Sequence, residues 1–264
     1  MPYETIKFDK TGHKGIIMLN RPQALNSFNR KMSKELAELW QAIKRDDDVW
    51  VVVLTAAGDK SFCVGVDVKE STAENQSMSQ FDRWRDVPGH SLTARQHGCW
   101  KPVITAVNGM CAGGGFYFVA DSDIVICSDN ATFFDPHVTY ARVAAVEPVA
   151  LTRRIPFGEV MRIALMGSAW RMDAKRAYQI GLVQEVVPLP KLMEKAHEMA
   201  DVLAELPPLT LAGTVEAIWK GLEMDRQAAM DFGLLVAQRN TFTKDHTEGR
   251  RAFAEKRKPR YKNR

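Results

Sequence analysis

Apolar positions along this chain change period several times, and each change marks an element. In ETIKFDKTGHKGIIMLN (4–20) two short alternating runs flank a glycine-containing turn, the pattern of a hairpin between half-buried strands. From Asn29 to Arg45 the apolar residues Met32, Leu36, Leu39, Trp40 and Ile43 recur at helical spacing on one face, with Ser27 or Asn29 placed as the cap. VWVVVLT (49–55), PVITAV (102–107) and DIVICS (123–128) are unbroken apolar, β-branched runs, as in strands buried on both faces. AAGDKSFCVGVD (56–67) reads as a glycine-bearing loop, and residues 72–98 as polar with helical stretches.

Beyond residue 155 the period is almost entirely helical. EVMRIALMG, DAKRAYQIG, PKLMEKAHEMADVLAEL, GTVEAIWKGL and RQAAMDFGLLVAQRNTF carry it, with one short strand at VQEVV. PPLT (207–210) is the expected linker. Strands alternating with helices predict an α/β fold with crossover connections, closed by an all-helical end.

Composition agrees with an ordinary globular chain: 264 residues, 45% hydrophobic and 26% charged. A net charge of +4 is too mild to argue for nucleic acid, and no aromatic-rich RNA motif accompanies it. No apolar run approaches the ~18 residues of a membrane helix, and the polar opening segment lacks the apolar stretch of a secretory leader. Cys63, Cys99, Cys111 and Cys127 show no close pairing and fit reduced thiols of a cytoplasmic protein. With neither C-x-x-C nor H-E-x-x-H present, no metal site is expected. The tail EKRKPRYKNR is basic; a solvated, frayed end and a phosphate contact are both open.

The chemistry gathers around NGMCAGGGFYFVAD (108–121), where three glycines follow a strand and precede a helix. A P-loop fails because Gly115 stands where lysine is required, and G-x-G-x-x-G fails at Phe118. GHSLT (89–93) misses the hydrolase elbow at Thr93. What remains is a helix N-terminus with unpaired N–H groups and no side chain to block approach, which suits an anion that stands or develops there. The plainer alternative is close packing of helix on sheet. SFCVGVDVKE (61–70) ends another strand in a second glycine-bearing turn, and two such turns can supply two N–H donors to one oxygen.

NRPQALNSFN (20–29), VVVLTAAGDKSFCVGVDVKE (51–70), KPVITAVNGMCAGGG (101–115), DSDIVICSDNATFFDPHV (121–138), MGSAWRMDAKRAYQIGLVQEVVP (166–188) and TEGRRAFAEKRKPRY (247–261) together resemble the enoyl-CoA hydratase/isomerase (crotonase) superfamily. The resemblance covers nearly the whole chain. It implies a crotonase-like spiral of ββα repeats over residues 1–206, a helical trimerisation region over 207–264, and a homotrimer or a dimer of trimers. It implies an acyl-CoA thioester substrate, no cofactor beyond the CoA moiety, and an enolate stabilised by the amides of Val66 and Gly114. Gln23, Ala24, Leu25, Val64 and Asp67 would flank CoA, and Lys60 would lie near its phosphates.

The pattern breaks where hydratases of this superfamily carry two glutamates. Their places are taken by Tyr117 and His137. A phenol with an ordinary pKa of about 10 is a donor and a poor base, whereas imidazole at about 6.5 can take or give a proton near neutrality. Tyr117 also reads as a core aromatic, and His137 as a loop histidine bonded to backbone. Asp135 and Glu147 are the carboxylates available to substitute, with Tyr140 and Arg142 behind them, although Glu147 would also serve as a first-turn acid on a helix. Phe81, Trp84, Trp100 and Phe133 are candidate pocket aromatics. The expected function is acyl-CoA enolate chemistry other than ordinary hydration. The alternatives are a hydratase or isomerase that recruits Glu147 or Asp135, and an acyl-CoA binding protein without catalysis.

Overall fold

The computed structural model describes residues 3–70, 89 and 91–264. Its strands are β1 (Ile6–Thr11), β2 (Lys14–Leu19), β3 (Val51–Ala56), β4 (Ser61–Cys63), β5 (Val103–Val107), β6 (Met110–Ala112), β7 (Ile124–Ser128), β8 (Thr132–Phe134), β9 (Met172–Asp173) and β10 (Glu185–Val187). Its α-helices are α1 (Arg30–Arg45), α2 (Phe116–Ala120), α3 (Val146–Leu151), α4 (Phe157–Met166), α5 (Ala174–Gln179), α6 (Leu192–Ala204), α7 (Pro208–Gly221), α8 (Arg226–Asn240) and α9 (Lys244–Ala254).

The strands form two sheets, ordered β1-β2-β3-β5-β7-β10 and β4-β6-β8-β9. Successive strands alternate between them: β3 then β4, β5 then β6, β7 then β8. Each circuit of the chain therefore adds one strand to each sheet, and the chain advances as a spiral. Apart from the β1–β2 hairpin and the β8–β9 pair, every pairing is parallel.

Burial explains the apolar runs. In β3, Val52 and Leu54 join the main core while Val51 and Val53 face the opposite side, where Leu192, Ala196 and Ala200 of α6 cover them. A strand with both faces covered has no polar side to show. Helix α1 buries the five apolar residues its spacing predicts, and the Asn29 side chain accepts the Met32 N–H at 2.9 Å as its cap. Cys63, Cys99, Cys111 and Cys127 are all buried free thiols.

Three expectations change. The second sheet has no counterpart in the sequence reading, because strands of two or three residues are too short to display a period. PPLT is not an open linker: Pro207 is extended and Pro208 opens α7, a position where the missing N–H has no intrahelical acceptor in any case. The tail is not frayed. Buried Asp245 accepts the backbone N–H groups of Lys262 and Asn263, both at 2.8 Å, and the Asn263 side chain donates to Asp47 O at 2.9 Å. Arg257 pairs with Glu248 and Glu255.

One carboxylate is among the anchors between the C-terminal helices and the spiral. Asp123 accepts the Trp219 indole N–H at 2.7 Å and the Val103 N–H at 2.7 Å, and pairs with Arg95. The Arg95 guanidinium lies 5.5 Å from the Trp100 ring centroid and 5.4 Å from that of Trp219. Trp100 therefore belongs to this anchor, and Phe133 is a fully buried core residue against Phe116. Phe81 and Trp84 lie outside the described residues. Replacing Trp219 with Phe keeps most of the apolar area but leaves Asp123 one donor short. That change should cost about 1–3 kcal/mol in denaturant unfolding and make the bond after α7 more accessible to limited proteolysis.

Candidate active site

Strands β4 and β6 are parallel neighbours, so the turns that leave their C-terminal ends lie side by side. Gly65, at φ +90°, turns the first; Gly113, at φ +49°, turns the second. A Cβ built on Gly65 would stand 2.7 Å from the Gly114 nitrogen. Covalent geometry keeps the Val66 nitrogen within about 4 Å of that point, so the two amide nitrogens lie no more than about 7 Å apart. Phe28 fixes the direction of one of them. Its N–H donates to Gly65 O and its C=O accepts the Asp67 N–H, both at 2.8 Å. In that parallel pattern the residue between, Val66, turns its own N–H away from Phe28. Gly114 lies in the first turn of a helix, where N–H groups have no intrahelical acceptor.

The contacts also revise the reason for three successive glycines. A Cβ on Gly114 would meet the Phe28 ring at 2.8 Å, and one on Gly115 would meet Cys63 O at 2.3 Å. Packing against protein already excludes side chains at both, whatever a ligand requires.

The titratable groups come from the chain beyond the next strand. Strand β8 pairs with β6 and hands over to Asp135, Pro136 and His137 beside the glycine turn. The Asp135 carboxylate is fully buried; its Oδ1 lies 2.9 Å from the His137 N–H, which donates to it, and 2.6 Å from His137 Nδ1. Held this way, Nδ1 carries a proton toward the carboxylate and Nε2 is left for other partners. The ring is partly exposed, and its Cε1 lies 3.7 Å from the Cβ point of Gly113. Asp135 Oδ2 is buried with no hydrogen-bond partner among the described residues.

Helix α3 brings buried Glu147 to the same place from its first turn. One donor atom each from Asp135, His137 and Glu147 lies within 4.8 Å of the others. These are also donor types of a metal-binding set, a grouping to which no spacing motif in the sequence pointed. Tyr117, on α2, reaches the Glu147 carboxylate with its hydroxyl, and its ring is covered by Gly89, where a Cβ would approach to 2.9 Å. Burial first, then the Glu147 charge and that hydrogen bond, push the phenol well above its ordinary pKa. It is a neutral donor. The hydrogen bond to Asp135, opposed by burial and reinforced by the charges of Asp135 and Glu147, raises the His137 pKa above 6.5. Arg142 acts on both groups through its charge, and its backbone N–H donates to His137 O at 3.1 Å. Tyr140 is 70% exposed.

The residues expected to flank CoA lie on the other side of the first turn. Pro22–Ala24 form a single 3-10 turn, followed by Leu25 and Asn26, both left-handed. Arg21 ties this loop to the glycine turn, pairing with Asp67 at 3.0 Å and Glu70 at 2.6 Å. Asn26 donates to Ala57 O and Ser61 O, both at 2.9 Å. Gln23, Ala24, Leu25, Val64 and Asp67 thus stand on one clamped pair of loops. Lys60 is exposed, and its backbone C=O accepts the Met110 N–H at 3.1 Å. Sequence reasoning missed Arg21 and Asn26, although both lie inside a stretch that carries the resemblance; a buried charge and a buried amide cannot be told from surface polar residues by residue type alone.

Residues 13–264 match the family model described as enoyl-CoA hydratase/isomerase. The chain belongs to that family. It is 33% identical to the (E)-benzylidenesuccinyl-CoA hydratase of Thauera aromatica over 97% of this chain and 98% of that one. It is 32% identical to the short-chain-enoyl-CoA hydratase of Clostridium acetobutylicum over 98% and 97%. The crystal structure of an enoyl-CoA hydratase/isomerase from Mycobacterium paratuberculosis superposes over the whole of both chains with a TM-score of 0.90 and 41% identity. The chain is thus a crotonase-fold, acyl-CoA-processing enzyme of the lyase or isomerase type. Among the described residues no helix is long and apolar enough to cross a membrane.

The tight turn contact gives a paired stability test. Gly115→Ala forces a Cβ into the Cys63 carbonyl and should cost about 1–3 kcal/mol as overpacking. Gly158→Ala, in α4 with nothing within 4 Å, should be neutral or stabilising by about 0.4–1 kcal/mol. Thermal unfolding of the two variants should therefore shift in opposite directions, or at least differ clearly.

Proposed function

We propose that this enzyme forms a thioester enolate from an acyl-CoA, with the amides of Val66 and Gly114 as donors to the thioester oxygen and His137 as the group that moves the α-proton. The observation that carries this is the Asp135–His137 pair: a buried carboxylate holds Nδ1, and the ring stands against the glycine turn with Nε2 directed away from that carboxylate. As negative charge develops on the thioester oxygen, two amide dipoles aimed at it cost no reorganisation; losing one such donor typically costs ~10²–10³ in rate. Tyr117, kept neutral and bonded to Glu147, orients the acyl chain or its water as a hydrogen-bonding group. Gln23, Ala24, Leu25, Val64 and Asp67 flank the CoA moiety, and Lys60 faces its phosphates. No group beyond CoA is called for. Asp135 is too buried and too committed to His137 to meet substrate itself.

A second reading is hydration with Glu147 in place of the missing glutamates. Its proximity to His137 and the names of the curated relatives favour it. Association into trimers or a dimer of trimers belongs to the same proposal. Exposed Ile218, Leu234, Leu235 and Phe253 on the C-terminal helices are apolar surface that such contacts would cover.

Exchange separates these readings without knowledge of the natural acyl group. Butyryl-CoA incubated with the enzyme in D2O should lose its α-proton signal, and His137→Ala should slow that loss by about 10²–10⁴-fold. A His137→Ala enzyme that exchanges at the wild-type rate removes His137 from the chemistry. Loss of crotonyl-CoA absorbance that depends on Glu147 and not on His137 would establish the second reading. Tight butyryl-CoA binding with neither reaction would leave a binding protein.

The pH profile carries an independent sign. A base must be unprotonated, so the exchange rate should rise with pH through the His137 pKa, at a value above 6.5. Asp135→Asn removes the charge that stabilises the imidazolium. The limb should then move to lower pH, with a lower plateau because the ring has lost its orientation. A limb that stays in place in Asp135→Asn would contradict the dyad.

A further inference from the structure

We infer that Phe28 is a positioning residue for both amide donors, and so for enolate formation, through contacts it makes with each of the three pieces of the site. The inference rests on the enolate reading above. Phe28 is fully buried, and the first contact is made by its backbone. By bonding Gly65 O and the Asp67 N–H it pins the peptide on each side of Val66, so the Val66 N–H has one direction open to it. The second contact is made by its ring. Cε1 and Cζ lie 2.8 Å from the Cβ point of Gly114, so the ring is the wall against which the second turn closes. The third is edge-on: the ring stands 6.3 Å from Tyr117 at 61°, and 6.5 Å from Phe118 at 85°.

Phe28 itself cannot drift, because the chain is held on both sides of it. Arg21 Nη1 donates to Ser27 O at 2.7 Å, Asn26 is bonded to the loop after β3, and the Asn29 side chain caps α1. A rigid residue wedged between two turns sets the distance between them. An ordinary core phenylalanine would support stability and nothing else. A spacer of this kind also sets where two N–H groups point, and a misplacement of about 1 Å at a reacting centre can cost on the order of 10² in rate.

The test compares Phe28→Leu and Phe28→Met, which keep apolar volume and lose the flat ring, with Leu36→Ala, a cavity in the core face of α1. Two readouts are used below each variant's Tm, the first over a range of substrate concentrations and the second at saturating ligand. One is α-proton exchange of butyryl-CoA in D2O, separated into kcat and KM. The other is the red shift of cinnamoyl-CoA absorbance on binding, which reports polarisation of the thioester carbonyl by the donors. Both Phe28 variants should lose about 10- to 100-fold in kcat, with KM within about threefold, and should show a smaller red shift. Leu36→Ala should be destabilised yet keep both readouts. If either foldable Phe28 variant keeps wild-type kcat and red shift, the inference is overturned while the donor reading stands. If wild-type protein binds cinnamoyl-CoA with no red shift, the donor reading fails, and this inference falls with it.

Discussion

The close approach of two turns at the ends of β4 and β6 is the constraint on which the rest depends. The turns touch so tightly that Gly65 faces the Gly114 nitrogen and Gly115 faces the Cys63 carbonyl with no room for a Cβ on any of the three. Glycine in a regular element costs roughly 0.5–1 kcal/mol relative to alanine. The fold accepts that cost at Gly114 and Gly115, where Phe28 and the Cys63 carbonyl leave no space, while Gly113 serves by its positive φ. The same contact brings two backbone amides, separated by 48 positions in the sequence, to one place.

Once that contact exists, the spiral supplies the rest by repetition. Each circuit of the chain places the C-terminal end of one more short strand beside the last. The first brings Gly65 and Val66, the next Gly113 to Gly115 and Tyr117, and the next Asp135 and His137. Helix α3 then returns Glu147 to the group. Two buried carboxylates close together are costly unless compensated. Here the compensation is explicit: Asp135 takes two hydrogen bonds from His137, Glu147 meets Tyr117, and Arg142 adds a cation nearby. The result is a histidine biased toward its protonated form and a tyrosine locked in its neutral form, a division of labour that two glutamates in the same places could not give.

Legibility in the sequence followed the length of the pattern. Helix α1 shows five buried residues at helical spacing, and β3, β5 and β7 are long enough to read as buried strands. The three-residue strands β4, β6 and β8 carry no readable period, so the sheet that frames the site was invisible even though every residue on it was noticed. Tyr117 and His137 stood out because they depart from a familiar pattern, and Asp135 and Glu147 because they are carboxylates close along the chain that could substitute. Arg21 and Asn26 did not, since their importance lies in burial, which composition does not report. The basic tail looked unattached for the same reason: its tether is Asp245, a carboxylate that reads as a surface residue and is buried.

By itself the sequence determined the fold family, the order of the elements and the identity of the chemical groups, because residue type, periodicity and local glycine demands are written along the chain. Only the tertiary structure decided which of those groups meet. Whether His137 binds backbone or a carboxylate, whether Glu147 caps a helix or faces Tyr117, and whether three glycines serve a ligand or a neighbouring strand are questions of distance between segments far apart in sequence. Those distances come from sheet pairing and core packing, and both depend on the whole chain at once.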